Sequence, residues 1–283
     1  MKNKSFLIAG MCIRFVSDRE IEDSEYFPLF RVSDETEPDV VIHVITGPLP
    51  CADGNEVFRT NHRRQVVSGG MVYNYTCFSD AAILEHVPYA CELRQRDRIE
   101  LYVDYVPGLW DTMLFDAVDL ADIYLEHGSA VVHASLVDYQ GQGILFAGPK
   151  QTGKSTQAAL WEKHKNAVIV NGDRVILRNE GTGFAACGIP FCGSSHVCLN
   201  RGTPVKAIVF PVKAPENQLQ RLMKFESFKR LIGCFTYTET SIASQKAAFE
   251  LAERIVNACD CYLLSCRADE NAVTILAKEL DPD

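Results

Sequence analysis

A chain of 283 residues, 47% apolar and 23% charged, can bury a full hydrophobic core as one large domain or two modest ones. Its net charge of −9 and pI near 5.3 argue against nucleic acid or an anionic membrane surface as the main partner. No stretch approaches the roughly 18 uncharged apolar residues that a membrane span requires.

The N-terminus carries Leu7-Ile8-Ala9-Gly10-Met11-Cys12, which superficially looks like a lipoprotein processing site behind Lys2 and Lys4. Met11 stands where a small residue should precede the cysteine, and Arg14 interrupts the apolar run, so a cytosolic location is expected. Residues 1–108 read as β-rich: strands over 6–8 and 13–16 flank a Gly10 turn, and 40–45 forms a strand after Pro38. Two hairpins follow, one over 65–75 around Ser68-Gly69-Gly70 and one pairing 89–95 with 98–105 near Asp97. Basic runs at His62-Arg63-Arg64 and at 94–98 read as a solvated strand face or hairpin tip.

Composition changes at Pro107-Gly108, where the second region, 109–283, begins. Met113, Leu114, Ala117, Val118, Ala121 and Leu125 recur at helical spacing, predicting one amphipathic helix over 111–127 with Asp111 as N-cap and Gly128 past its end. A strand over 130–137 and a second over 143–147, joined at a Gly141 turn, should be antiparallel neighbours. The second strand runs into Gly148-Pro149-Lys150-Gln151-Thr152-Gly153-Lys154-Ser155-Thr156, which fits the phosphate-loop pattern G-x-x-x-x-G-K-[ST], and a helix over 155–165 follows. In such a loop the glycines permit a tight turn that points consecutive N–H groups at phosphate oxygens. The lysine reaches the β/γ-phosphates and the serine hydroxyl sits on Mg²⁺. Loop positions Gly148, Lys150, Gln151, Thr152, Gly153, Lys154, Ser155 and Thr156 are therefore the candidate nucleotide contacts.

Downstream, the apolar strand 167–170 ends in Asn171-Gly172-Asp173-Arg174. An acid at the end of a buried strand just after a phosphate-binding helix is where a magnesium carboxylate is needed, which makes Asp173 the metal candidate beside Ser155. The competing reading is plain turn chemistry after Asn-Gly. Strands over 175–178 and 184–187 precede the loop 188–196, which reads as a substrate loop or a surface connection. Strands over 206–212, 218–222 and 261–265 and helices over 225–235, 240–258 and 270–280 complete the pattern. The eleven cysteines read as reduced, mostly buried thiols, because none of the groups shows the paired C-x-x-C spacing of a structural zinc site.

From about His127 onward the order of elements resembles the catalytic domain of HPr kinase/phosphorylase, and more distantly the nucleotide domain of phosphoenolpyruvate carboxykinase. The residues that carry the resemblance are His133 on a strand, the loop 148–156, Asp173 after an apolar strand, and Gly188-Ile189-Pro190-Phe191-Cys192-Gly193-Ser194-Ser195. It is strongest to the branch called HPr kinase-like. The resemblance implies an α/β fold with a mixed sheet around the phosphate loop, Mg²⁺ and ATP as cofactors, and phosphoryl transfer to a hydroxyl. The acceptor would be a small metabolite or a peptide or protein; nucleic acid and membrane are not expected partners, and homo-oligomerisation stays open. His133, Asp173 and Lys154 are the catalytic candidates, with Arg174 and Lys150 as weaker ones for charge stabilisation. The family carries two adjacent acids where this chain has Gly172-Asp173. That departure supports the alternative of an ATP-binding sensor without transfer. A carboxykinase-like enzyme would need further metal-binding His and Lys residues, and none is identified in 1–125.

Overall fold

The computed structural model describes residues 1–78, 87–95, 98–104 and 106–281. It is an α/β structure in two compact units, Met1–Leu120 and Ala121–Asp283.

In the first unit β1 (Lys2–Ile8) and β2 (Met11–Ser17) form a hairpin, and β3 (Arg31–Val32) and β4 (Val40–Thr46) follow a 3-10 turn at Phe27–Phe30. The unit continues with β5 (Asn55–Arg59), β6 (Arg63–Ser68), β7 (Met71–Cys77), β8 (Pro88–Gln95) and β9 (Arg98–Val103). These nine strands make one mixed sheet in the order β3-β1-β2-β4-β9-β8-β7-β6-β5. The hairpin turns are set by left-handed residues, Ala9-Gly10 and Gly69-Gly70, the backbone that two-residue hairpin loops demand. The expected turn near Asp97, and Tyr105, lie outside the described residues. Phe6, Phe15, Phe27 and Phe115 interlock at one end of the sheet, with Phe115 within 4.9–5.1 Å of the other three ring centroids.

The single helix expected over 111–127 is two: α1 (Asp111–Ala117) and α2 (Leu120–Glu126). Val118 is extended, and the Asp119 N–H donates to Glu92 Oε2 at 2.7 Å. A buried carboxylate from β8 thus captures a donor that would otherwise continue the helix. Asp111 is not the N-cap; Trp110 holds that place. Asp111 is instead fully buried and accepts from Lys4 Nζ at 3.0 Å. The basic runs are likewise more than solvated faces. Arg63 donates to the carbonyls of Asp116 and Ala117, and Arg94 to the Asp119 carbonyl and Glu92.

In the second unit β10 (Ser129–Tyr139) and β11 (Gln142–Ala147) are an antiparallel pair, as expected, followed by α3 (Lys154–Lys165) and β12 (Val168–Asn171). Then come β13 (Arg174–Asn179), β14 (Phe184–Gly188), β15 (Gly202–Lys213), β16 (Gln218–Arg221), α4 (Lys224–Ile232), α5 (Ile242–Ala258), β17 (Asp260–Cys266) and α6 (Glu270–Leu280). The sheet order is β11-β10-β13-β14-β15-β17-β16, with β12 also on β10 and β11 also parallel to β15. Strand residues alternate between two cores. Leu145, Ala147, Ile208 and Phe210 share a core with Leu231 of α4 and with Leu251 and Ile255 of α5. Ile144, Phe146, Ala207 and Val209 face α3 and α6 through Trp161, Val273 and Leu276. Helices therefore cover both faces of a mixed sheet. All the cysteines except Cys51 are buried. No helix of the described residues is long and apolar enough to cross a membrane.

Candidate functional site

The site is built around the middle of β10. One edge of that strand pairs with β11, whose last residue Ala147 lies opposite Ala134. The other edge pairs first with β13, His133 opposite Arg174, and then with β12, Leu136 opposite Asn171. The loop after β11 and the turn Asn171-Gly172-Asp173-Arg174 therefore leave the sheet on either side of residues 133–135. This register, rather than nearness in sequence, brings the phosphate-loop candidates and Asp173 together.

Gly148 has φ +152°, a backbone that other residues rarely adopt, and an added Cβ would lie 3.0 Å from Thr152 Oγ1, so the loop closes tightly on itself at this glycine. Thr152 Oγ1 and Lys154 Nζ both donate to the Pro149 carbonyl, at 3.0 and 2.8 Å. An ammonium has three donors, so this bond leaves Lys154 able to hold an anion as well. Gly153, at φ +106°, is the N-cap of α3 and gives it no side-chain cap. The first-turn N–H groups of α3 are thus positioned for an anionic ligand. Burial lowers the pKa of Lys154, while the nearby Asp173 carboxylate acts in the opposite sense. Lys150, Gln151, Ser155 and Thr156 are exposed along the loop and the start of α3, and Gln151 adopts a left-handed φ of 67°.

Across β10, Ser135 Oγ and Ser155 Oγ both donate to the Gly172 carbonyl, at 2.8 and 3.4 Å. His133 Nε2 lies 3.1 Å from Asp173 Oδ1. An ionised carboxylate only accepts, so Nε2 carries the proton. That hydrogen bond is the largest influence holding the Asp173 carboxyl below its ordinary range; burial opposes it, and Arg174, 3.6 Å from Oδ2, assists. The oxygen-rich corner formed by the Ser155 hydroxyl, the Gly172 carbonyl and the Asp173 carboxylate suits a hard cation such as Mg²⁺. No cluster of three or more His, Cys, Asp or Glu able to hold a metal occurs among the described residues. A cation at this corner would accordingly take further ligands from phosphate and water.

Residues that sequence reasoning passed over complete the site. Asn171 is fully buried; its Oδ1 accepts from the Asp173 and Arg174 N–H groups at 3.0 and 3.1 Å. Its Nδ2 donates to the carbonyls of Ile189 and Phe191 at 2.8 and 3.1 Å. The 188–196 loop folds over the acid turn: a Cβ on Gly172 would meet Ser195 Oγ at 2.2 Å, and one on Gly193 would meet Asp173 Cγ at 2.8 Å. Cys234, whose carbonyl accepts from the His133 N–H at 2.8 Å, is pushed up to about 11 by burial, with Lys154 opposing. The 188–196 loop was a sequence candidate for contacting a substrate, but for the role of Asn171 the only sequence signal was the Asn-Gly pair, and it pointed to a turn.

No family model matches the chain, and no curated protein matches it. Among solved structures, the chain is similar to the structure of the Hpr(Ser) kinase/phosphatase from Coxiella burnetii, with a TM-score of 0.31 and 14% identity over 53% of this chain and 94% of that chain. A likeness of that size does not assign an activity.

Proposed function

We propose that the second unit is an ATP-dependent, Mg²⁺-using kinase of the HPr kinase-like type, which transfers a phosphoryl group to a hydroxyl of a small metabolite or a peptide. The observation that carries this reading is the joining of the G-x-x-x-x-G-K-S loop to the acid turn across β10, through Ser155, Gly172, Asp173 and His133. Lys154 and the start of α3 would hold the β/γ-phosphates, with Lys150, Gln151, Thr152 and Thr156 along the nucleotide. Ser155 and Asp173 would hold the metal ion, which when bound neutralises charge developing on the transferred group.

The hydrogen bond from His133 favours the ionised form of the Asp173 carboxyl. An ionised carboxylate is a good cation ligand and a weak base, which supports a metal-binding role over proton abstraction for the single acid. Phosphoryl transfer passes through a loose transition state that needs positioning and charge neutralisation more than a strong base. In this reading His133 contacts the transferred group or the acceptor hydroxyl, which requires its Nε2–H to leave the Asp173 Oδ1 that it bonds in the structure.

Isothermal titration with Mg²⁺-ATP tests the central claim. Wild type should bind and Lys154→Ala should lose at least about tenfold in affinity, because one charge-assisted phosphate contact is worth roughly 1.5–3 kcal/mol. Absence of binding by wild type would overturn the reading.

Nucleotide binding without transfer is the second reading, favoured by the packing of Ser195 onto Gly172 where a second acid would stand. It predicts Mg²⁺-ATP binding with no label transferred to any acceptor in a panel of hydroxylated metabolites and peptides.

A further inference from the structure

The carboxamide of Asn171 is saturated. It has two donors and two lone pairs, and all four are used, two toward the acid turn and two toward the 189–191 segment. The orientation is fixed by its partners, since a flipped amide would face N–H groups with N–H and carbonyls with oxygen. A residue serving only the turn would need Oδ1 alone. The two Nδ2 bonds run to backbone carbonyls 18 and 20 residues away and have no part in that turn. The same two segments also meet by direct packing, Gly172 against Ser195 and Gly193 against the Asp173 carboxyl.

We infer that Asn171 is a positioning residue that couples the 189–195 segment to Asp173, so that the segment sets where the metal-binding carboxylate lies. The metal-binding role of Asp173 rests on the function proposed above; the coupling itself rests on the hydrogen bonds. The device has a mechanical logic. Asp173 lies in a turn between two short strands, β12 and β13, held toward the phosphate loop by a long Ser155 Oγ bond to the Gly172 carbonyl and by the His133 bond to its own carboxylate. The buried amide ties it to a segment that β14 and the Leu199 N–H, bonded to the Val170 carbonyl at 2.8 Å, hold from both ends.

Two variants separate coupling from simple loss of structure. Asn171→Asp is isosteric and keeps an acceptor for the Asp173 and Arg174 N–H groups, but sets a carboxylate oxygen against the Ile189 and Phe191 carbonyls. Gly193→Ala leaves Asn171 intact and perturbs the segment from the other side, where the new methyl strikes Asp173.

The imido analogue of ATP is titrated in Mg²⁺ and in EDTA, and amide hydrogen exchange is followed over 171–175 and 189–196. The expected result is that both variants lose at least about tenfold of the Mg²⁺-dependent gain in affinity, the scale seen when an outer-shell partner of a metal ligand is removed. Affinity in EDTA should stay within about twofold. Exchange over 173–174 should accelerate together with 189–196 in Asn171→Asp. Retention of the Mg²⁺ gain in both variants, or acceleration of 189–196 alone, overturns the coupling. If Asn171→Asp does not fold, Gly193→Ala carries the test with the same readouts. If wild type binds the analogue under neither condition, the proposed function fails, and the exchange result alone decides the coupling.

Discussion

Replacing Gly172 tests why this chain has a single acid in its turn. The residue is buried, and its backbone does not need a left-handed conformation, so the cost of a side chain there is one of space. A Cβ would come 2.2 Å from Ser195 Oγ and 2.3 Å from Ser195 Cβ. Rotating the hydroxyl removes only the first contact; relieving the second requires the segment to move. Overpacking of this kind costs about 1–3 kcal/mol. In a unit of this size that lowers Tm by roughly 2–4 °C for each kcal/mol.

Ser195→Gly alone also costs stability. It removes the hydroxyl's donation to the Cys192 carbonyl at 2.5 Å and its acceptance from the Val197 N–H at 3.3 Å, each worth about 0.5–1.5 kcal/mol. The next atom facing the new methyl would then be Ser195 Cα at 3.8 Å, an ordinary contact. Gly172→Ala with Ser195→Gly should therefore be about as stable as Ser195→Gly by itself, giving a favourable coupling of about 1–3 kcal/mol. Denaturant unfolding of the four proteins can be followed by the fully buried Trp161 in a Trp110→Phe background, since those are the only two tryptophans. Additivity within about 0.5 kcal/mol would refute the packing argument. By the same reasoning Gly172→Asp should be tolerated only together with Ser195→Gly. The missing acid and the bulk of Ser195 would then be one feature of this chain.

Two further outcomes concern the first unit. Lys4→Met leaves the fully buried Asp111 without the ammonium that now bonds it, along with the carbonyls of Ile21 and Glu22, and should cost about 3–5 kcal/mol in denaturant unfolding. Adding Asp111→Leu should recover much of the loss. His62 is raised above its ordinary 6.5 chiefly by its hydrogen bond to Asp116, 2.9 Å away, so its contribution to stability is fully present below pH 6.5 and disappears as pH rises through the raised value. A Tm–pH profile should show that decline in wild type and lose it in His62→Gln.

The parts of the fold read correctly from sequence are those fixed by local rules. Gly10 and Gly70 turn hairpins because the φ values there favour glycine. The run 143–147 is a strand because both its faces are covered, and α3 starts within a residue of its expected position because the loop's last glycine ends the turn. Misreadings arose where a distant group overrode the local pattern. Apolar spacing over 111–127 is continuous, yet Glu92 on β8 takes the Asp119 N–H and divides the helix. Asp111 has the composition of a cap but is drawn inside by Lys4. The edge strand β5 is exposed along its whole length, so it carries no alternation to detect.

Within the site the same division explains what was seen and what was not. The candidates named from sequence are those whose chemistry is visible in their residue type, such as an invariant-spacing lysine or a lone acid after an apolar strand. Asn171 was hidden because its neighbour Gly172 makes a sufficient local explanation. Only the distances to Ile189 and Phe191 reveal that one amide serves two segments. The phosphate loop depends on its own glycines and on β11 and α3, whereas Asp173 depends on β12, Asn171 and the 188–196 loop. If the proposed function holds, changes in that loop should therefore alter metal dependence and acceptor handling before they alter nucleotide affinity. This asymmetry matches the two functional readings, which agree on binding and part only at transfer.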